Sequence, residues 1–357
     1  MGGKIFERNG YSVHVSEPEV YVDNKARNRS GHMSHAMAEF KPGCFIEFNS
    51  NCSSTRCEGH SAFGWIEYRI SRDCGKTYSD VYELDYSKEV LMEGRYTISV
   101  EKAVATDDGK IVAFCLRNSS MGCCEPWDTP MVIISEDEGK TWSEARECSP
   151  YKGRIYDAIY HNGEIYFVIF CNDDFIGTWP MHVYRVYKSS DSGKTFEEIS
   201  VVPLSGVGHS YCTFFFDGND DLHLYTYNYN NEFFMDHAIS SDFGKTWKIC
   251  EPVYVAKGIR NPQTNFIDGV YILHGRGAMT CPGFVLYTST DGVNWDEGDF
   301  MNDKKTWYAH YSCNMVTKDE EGTFALIQYS DLYGDDKSSD INRFGVNANH
   351  IRVRIKK

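Results

Sequence analysis

The stretch SSDFGKTW, residues 240–247, is written nearly five times over in this chain. SRDCGKTY at 71–78, SEDEGKTW at 135–142 and SSDSGKTF at 189–196 share its pattern, SxDxGxT followed by an aromatic, and STDGVNW at 289–295 is one residue shorter. Its chemistry is that of a corner: Asp bonds nearby backbone, Gly supplies positive φ, and the aromatic pins the turn to a neighbouring strand. Nothing in it is nucleophilic.

The copies start 64, 54, 51 and 49 residues apart, a period that marks a repeated supersecondary unit. In step with them runs a second punctuation, Gly43, Gly109, Gly163, Gly218, Gly269 and Gly322, which gives six units. Around these glycines lie short alternating runs rich in aromatic and β-branched residues, such as GKIVAFCL, GEIYFVIF, LHLYTYNY, GVYILHG and GTFALIQY. Each unit therefore reads as strand A, Gly turn, strand B, loop, strand C, SxDxGxTW turn, strand D, with no helix. The fold class is all-β: a six-bladed β-propeller over residues 1–357 as a single domain, seven blades being the alternative because the first two units carry extra residues. The last unit ends in HIRVRIKK, a third strand, and YSVHVSEPEVYV near the N-terminus supplies the outer strand that closes the ring and removes open edges.

With 357 residues, 41% hydrophobic and 15% aromatic, the chain is long enough for a large core. It has no run of about 18 apolar residues and no apolar leader, which points to the cytoplasm unless a leader has been trimmed. Thirteen scattered cysteines read as reduced, mostly buried thiols. Cys52, Cys57 and His60 come nearest to a metal pattern but lack zinc-ribbon spacing, so neither metal nor cofactor is expected. A net charge of −15 argues against nucleic acid and gives weight to every Arg near a presumed pocket. No membrane partner is expected, and the oligomeric state is left open.

Strand direction alternates within a blade, so the repeated turns and the Gly turns share one face and any central funnel opens on the other. The residues before each A strand and after each B strand line that funnel. They include His32 and His35, Arg117, Arg154, His209 and Tyr211, Tyr227, Arg260, His274 and Arg276, and His310 and Tyr311. Wet strand ends account for any one of these. As a set they form a cationic, phenol-rich cluster that needs an anion or carboxylates to compensate it, which suits an acidic oligosaccharide.

With these turns on six blades the chain resembles the sialidase (neuraminidase) superfamily, in which the turn is called the Asp-box or BNR repeat. The resemblance covers almost the whole chain. It implies an arginine triad for a carboxylate, a Tyr nucleophile paired with Glu, and an Asp acid/base; Tyr311, in HYSCNM, matches the nucleophile. Elsewhere the pattern differs: GHMSHAM stands where Arg-Ile-Pro is expected, His209 near the Glu, and Tyr227 near a second Arg. Those substitutions resemble sialidase-fold uronate lyases or His-dependent glycosidases. The expected function is cleavage of a glycosidic bond to an acidic sugar, as an exo-glycosidase or a lyase, with His209, Tyr211 and Tyr311 catalytic and the other named residues binding. The alternatives are an exo-sialidase using Tyr311 and a non-catalytic glycan- or protein-binding propeller.

Overall fold

The computed structural model describes residues 3–31, 35–53, 63–120, 128–171, 182–206, 211–302, 310–331 and 345–357. Their strands form six sheets in a ring, and the seven-bladed alternative falls. Blade 1 is Met37–Lys41, Cys44–Ser53, Gly64–Ser71 and Tyr82–Glu83, and blade 2 is Tyr96–Ala105, Ile111–Ser119, Met131–Ser135 and Arg146–Glu147. Blade 3 is Gly153–His161, Glu164–Cys171, His182–Ser189 and Glu197–Gly206, and blade 4 is Cys212–Phe216, Leu222–Tyr227, Phe234–Ser240 and Lys248–Tyr254. Blade 5 is Gln263–Ile267, Val270–Arg276, Phe284–Ser289 and Asp299–Asn302. Blade 6 takes Ser312–Asp319, Gly322–Ser330 and Ala348–Lys356 from the C-terminal end and Tyr11–Val15 and Lys4–Arg8 from the N-terminal end.

The repeated turn is built as its sequence requires. In residues 240–247 the Ser240 hydroxyl donates to Asp242 Oδ1 at 2.8 Å and accepts from the Gly244 amide at 2.8 Å. Asp242 in turn accepts the amide and hydroxyl of Thr246 at 2.8 and 2.7 Å. Phe243 and Gly244 are both left-handed, with φ of 60° and 83°. In the shortened copy Asn294 replaces Thr, its amide and side-chain nitrogen both donating to Asp291 at 2.7 Å.

What the turn holds is the neighbouring blade. Its Gly carbonyl accepts a hydrogen bond from the preceding blade at every junction that has the turn. Arg352 donates to Gly75 at 2.9 Å and Tyr68 to Gly139 at 2.8 Å, while Arg146, Ser200 and Tyr225 bond Gly193, Gly244 and Gly292. The aromatic follows: Trp142 meets Tyr68 and Phe48 of blade 1, and Trp247 Nε1 donates to Ser200 of blade 3 at 2.8 Å. Between blades 5 and 6, where the turn is missing, Arg8 takes over with ion pairs to Asp296 at 2.5 Å and to Asp299.

One element departs from the expectation of no helix. Asp85–Glu93 is α-helical, ended by Gly94 at φ 78°. Ser87 is its only buried residue, and only Tyr86 and Val90, half-buried one turn apart, pack its apolar side against the core, a pattern too short to stand out in the sequence. It also accounts for much of the long first step of the repeat.

Gly193→Ala combines left-handed strain at φ 81° with a Cβ placed 2.9 Å from Val112 Cγ1 of blade 2, whereas Gly163, at φ 83°, has open space. Gly193→Ala is expected to cost about 1–3 kcal/mol more than Gly163→Ala in denaturant unfolding; equal losses would show that the turn does not clamp the blades. Acid acts on the same turns. Burial raises the pKa of Asp191 and Asp291, but the bonds from Thr195 and Asn294, with others, outweigh it and hold both near 2. These carboxylates stabilise the fold above their unfolded value near 4 and lose that contribution as pH falls through about 2. Buried His237 and His274, held by desolvation at about 3, must also charge on unfolding, so stability declines from below pH 6.5 downward. Unfolding free energy measured between pH 7 and 3 should fall monotonically.

Candidate active site

The innermost strands converge on the face opposite the turns, and two of them bulge there. Register slips at Glu101 in Tyr96–Ala105 and at Tyr156 in Gly153–His161, which re-aims both side chains toward the axis. A narrow cavity of about 20 Å³ results, lined by His35, Glu101, Arg154, Tyr156, Gln263, Tyr311 and Ser312.

Beneath it is a polar floor tying four blades together. Lys102 pairs with Asp157 at 2.8 Å and donates to Gln263 at 2.7 Å. Asp157 also accepts from the Thr213 hydroxyl at 2.6 Å and the Phe214 amide at 3.1 Å. Desolvation would lower the Lys102 pKa, but Asp157 raises it above the ordinary value. Below the floor a separate cavity of about 410 Å³ opens toward the turn side.

Arg154, 1% exposed, is fixed by Glu101 Oε2 through Nε at 2.9 Å and Nη2 at 2.5 Å. Its guanidinium lies 5.0, 5.2 and 5.7 Å from the ring centres of Tyr156, Tyr211 and Tyr311. The hydroxyls of Tyr211 and Tyr311 are 3.0 Å apart. Burial pushes the Tyr211 phenol well above its ordinary value, with Tyr311 adding to the effect, so Tyr211 stays protonated at neutral pH. Arg260 is paired with Glu232 at 2.9 Å, and Tyr227 donates to the same oxygen at 2.9 Å. Arg276, 4% exposed, stands 5.9 Å from the Tyr311 ring.

His310 precedes Tyr311 with a left-handed φ of 62°. Asn261 holds this corner: it donates to the His310 carbonyl at 2.9 Å and accepts the Arg276 amide at 2.7 Å. His310 Nδ1 lies 3.1 Å from the Ser330 carbonyl, and desolvation brings its pKa down to about 4.

Of the residues named from sequence, His35, Arg154 and Tyr311 line this cavity; Tyr211 and Arg276 adjoin Tyr311, and Arg260 and Tyr227 meet at Glu232. Two residues named from sequence go elsewhere. Arg117 turns to Glu147 at 3.1 Å, Asp128 at 3.5 Å and Thr129 on its own blade. His274 lies under the floor with both ring nitrogens engaged, by Ser312 at 3.1 Å and Asn314 at 2.8 Å, as a satisfied core histidine. His32, His209, Cys57 and His60 lie outside the described residues. Cys52 is fully buried, which pushes its thiol to about 11. Sequence reasoning missed Glu101 and Glu232, the carboxylates that neutralise two of the arginines.

No protein-family model and no curated protein sequence matches the chain. Solved structures do. A protein of unknown function from Dyadobacter fermentans DSM 18053 superposes with a TM-score of 0.71 at 14% identity, over 96% of this chain and 99% of that one. The Hadza microbial sialidase Hz136 gives 0.65 at 16% identity, over 93% and 67%. Trypanosoma rangeli sialidase gives 0.60 at 12% identity over 91% of this chain, which spans 55% of that protein's length. The chain is a six-bladed β-propeller of the sialidase-like fold.

Proposed function

We propose that this protein is a carbohydrate-active enzyme that cleaves a glycosidic bond to an acidic sugar in the axial pocket. Arg276 carries the reading. Arg154 and Arg260 each have a carboxylate partner, Glu101 and Glu232, but among the described residues none lies within ion-pair distance of Arg276, and its buried Nε has no hydrogen-bond partner there. A buried cation without a counter-ion costs several kcal/mol, and a bound carboxylate removes that cost. The surroundings suit a sugar: phenols at Tyr211 and Tyr311, and Glu101 Oε1, which has no partner among the described residues, offer donors and an acceptor for hydroxyls. Two of the fold neighbours are sialidases by name, and sialic acid is an acidic sugar.

Stability separates the arginines without any assay of activity. Arg276→Met is expected to be neutral or up to about 2 kcal/mol more stable than the parent, whereas Arg154→Met, which strands Glu101, should lose about 3–5 kcal/mol. Denaturant unfolding of both variants decides it; a large loss in Arg276→Met would mean that the cation has a structural partner.

Activity is read on a panel of uronate oligosaccharides and a chromogenic sialoside. Tyr311→Phe is expected to lose at least about 100-fold in kcat/KM on whichever substrate the parent cleaves. Turnover of the sialoside, lost in Tyr311→Phe, would identify an exo-sialidase. Binding of the panel without any product would identify a glycan-binding propeller and remove the enzyme reading.

A further inference from the structure

We propose that the cavity below the floor is a second ligand site, which takes a neutral pyranose sugar from the face opposite the axial pocket. At about 410 Å³ it lies within the range of about 300–1,000 Å³ usual for small-molecule pockets. Lys102 and Asp157 close its inner end, and all six innermost strands line its wall. Because the floor separates the two cavities, a ligand here needs neither Arg276 nor Tyr311. The site is independent of the enzymatic reading above.

The wall is polar for a topological reason. Each innermost strand pairs only with the second strand of its blade, so its other edge presents backbone N–H and C=O groups to the axis. Beside the floor, side chains take some of these groups. Asp157 accepts the Phe214 amide at 3.1 Å, Thr213 accepts the Thr264 amide at 3.1 Å, and Asn314 donates to the Thr264 carbonyl at 3.4 Å. Strand alternation turns the backbone toward the axis again two residues further out, at Phe216 and Phe266. There the Phe266 amide goes to Asn265 Oδ1 at 2.8 Å, and among the described residues no side chain takes its carbonyl or either backbone group of Phe216.

The mouth adds aromatic surface. Phe266, 44% exposed, packs on Tyr271 with ring centres 4.7 Å apart, and the His161 ring stacks on Phe216 at 3.9 Å. Charge is settled within the lining: Lys102 pairs with Asp157, and Glu39 accepts the Gly43 amide at 2.7 Å and the Thr317 hydroxyl at 2.6 Å. With two carboxylates to one ammonium the cavity repels an anion, so an acidic sugar is excluded here. The lining thus calls for a neutral ring with donors and acceptors around its edge and a flat C–H face for the phenyl rings. A pyranose with equatorial hydroxyls meets both requirements, whereas a hydrocarbon would leave the strand edges unpaired.

Saturation-transfer NMR and calorimetry with cellobiose, a neutral disaccharide whose ring hydroxyls are equatorial, test the site. Cellobiose is expected to bind with a Kd of about 1 mM or tighter, its ring C–H protons receiving the most saturation. Phe266→Ala should weaken binding about two- to tenfold. Ala105→Trp, which fills the cavity from a half-buried position in its wall, should abolish binding. Arg276→Met, above the floor, should leave Kd unchanged, and circular dichroism like the parent's shows that each variant is folded. Absence of cellobiose binding at up to about 10 mM overturns the proposal. So does binding that survives Ala105→Trp or is lost in Arg276→Met, since the sugar would then sit in the upper pocket. Binding of indole or of an uncharged peptide without binding of cellobiose overturns it equally. No arm reads turnover, so an inactive protein leaves the result intact.

Discussion

Everything on the axis of this protein depends on a hydrogen bond at its rim, from one blade to the turn-glycine carbonyl of the next. A propeller places its ligand where no single blade has a surface, so pocket geometry is only as fixed as the angle between blades. The repeated turn fixes that angle by presenting a carbonyl at a constant position and excluding a side chain from the contact. Asp and Ser serve this by consuming the turn's own donors, which leaves the carbonyl for the neighbour. Where the turn is absent, Arg8 reaches from the N-terminal strand to Asp296 and Asp299, so one junction is closed by charge instead of shape.

At the hub the problem reverses, because six strand ends crowd polar groups into a space that excludes water. Lys102 and Asp157 answer it by neutralising each other and binding Gln263 and Thr213 across four blades. The floor they make separates the cavity above from the wider one below. The bulges at Glu101 and Tyr156 then lift one carboxylate and one ring above that floor. Neighbouring residues on one strand, Glu101 and Lys102, consequently serve opposite sides of it.

The repeat and the six hairpin glycines made the blade number, the ring closure and the face opposite the turns legible from sequence, because period and turn chemistry are local. Which strand-end residues turn inward was legible only by parity. Arg276 shares the phase of Val270 and Ile272, which pack toward blade 6, while Arg117 shares the phase of Ile111 and Ala113, which pack toward blade 1. Two arginines at similar strand ends therefore diverge, and counting phase against the apolar run would have separated them. The bulge that exposes Glu101 left no such trace, since the alternation on either side of it is unbroken in character. The pairing of Arg260 with Glu232 was equally hidden, joining the start of blade 5 to a loop of blade 4.

Three unfavourable features meet at the corner of Tyr311. His310 is left-handed, and among the described residues its buried Nε2 has no hydrogen-bond partner and Arg276 has no carboxylate. Asn261 holds both residues by their backbone and leaves the guanidinium and the phenol as they are. A core selected for stability alone would have supplied the acid or removed the cation, as it did at Arg154, Arg260 and Lys102. Strain and an uncompensated charge persist where the surroundings over-determine them, and five clamped junctions supply that surplus. The rigidity of the rim and the cost borne by one corner of the hub are thus two sides of a single arrangement, in which the repeat stabilises the ring and the site draws on that stability.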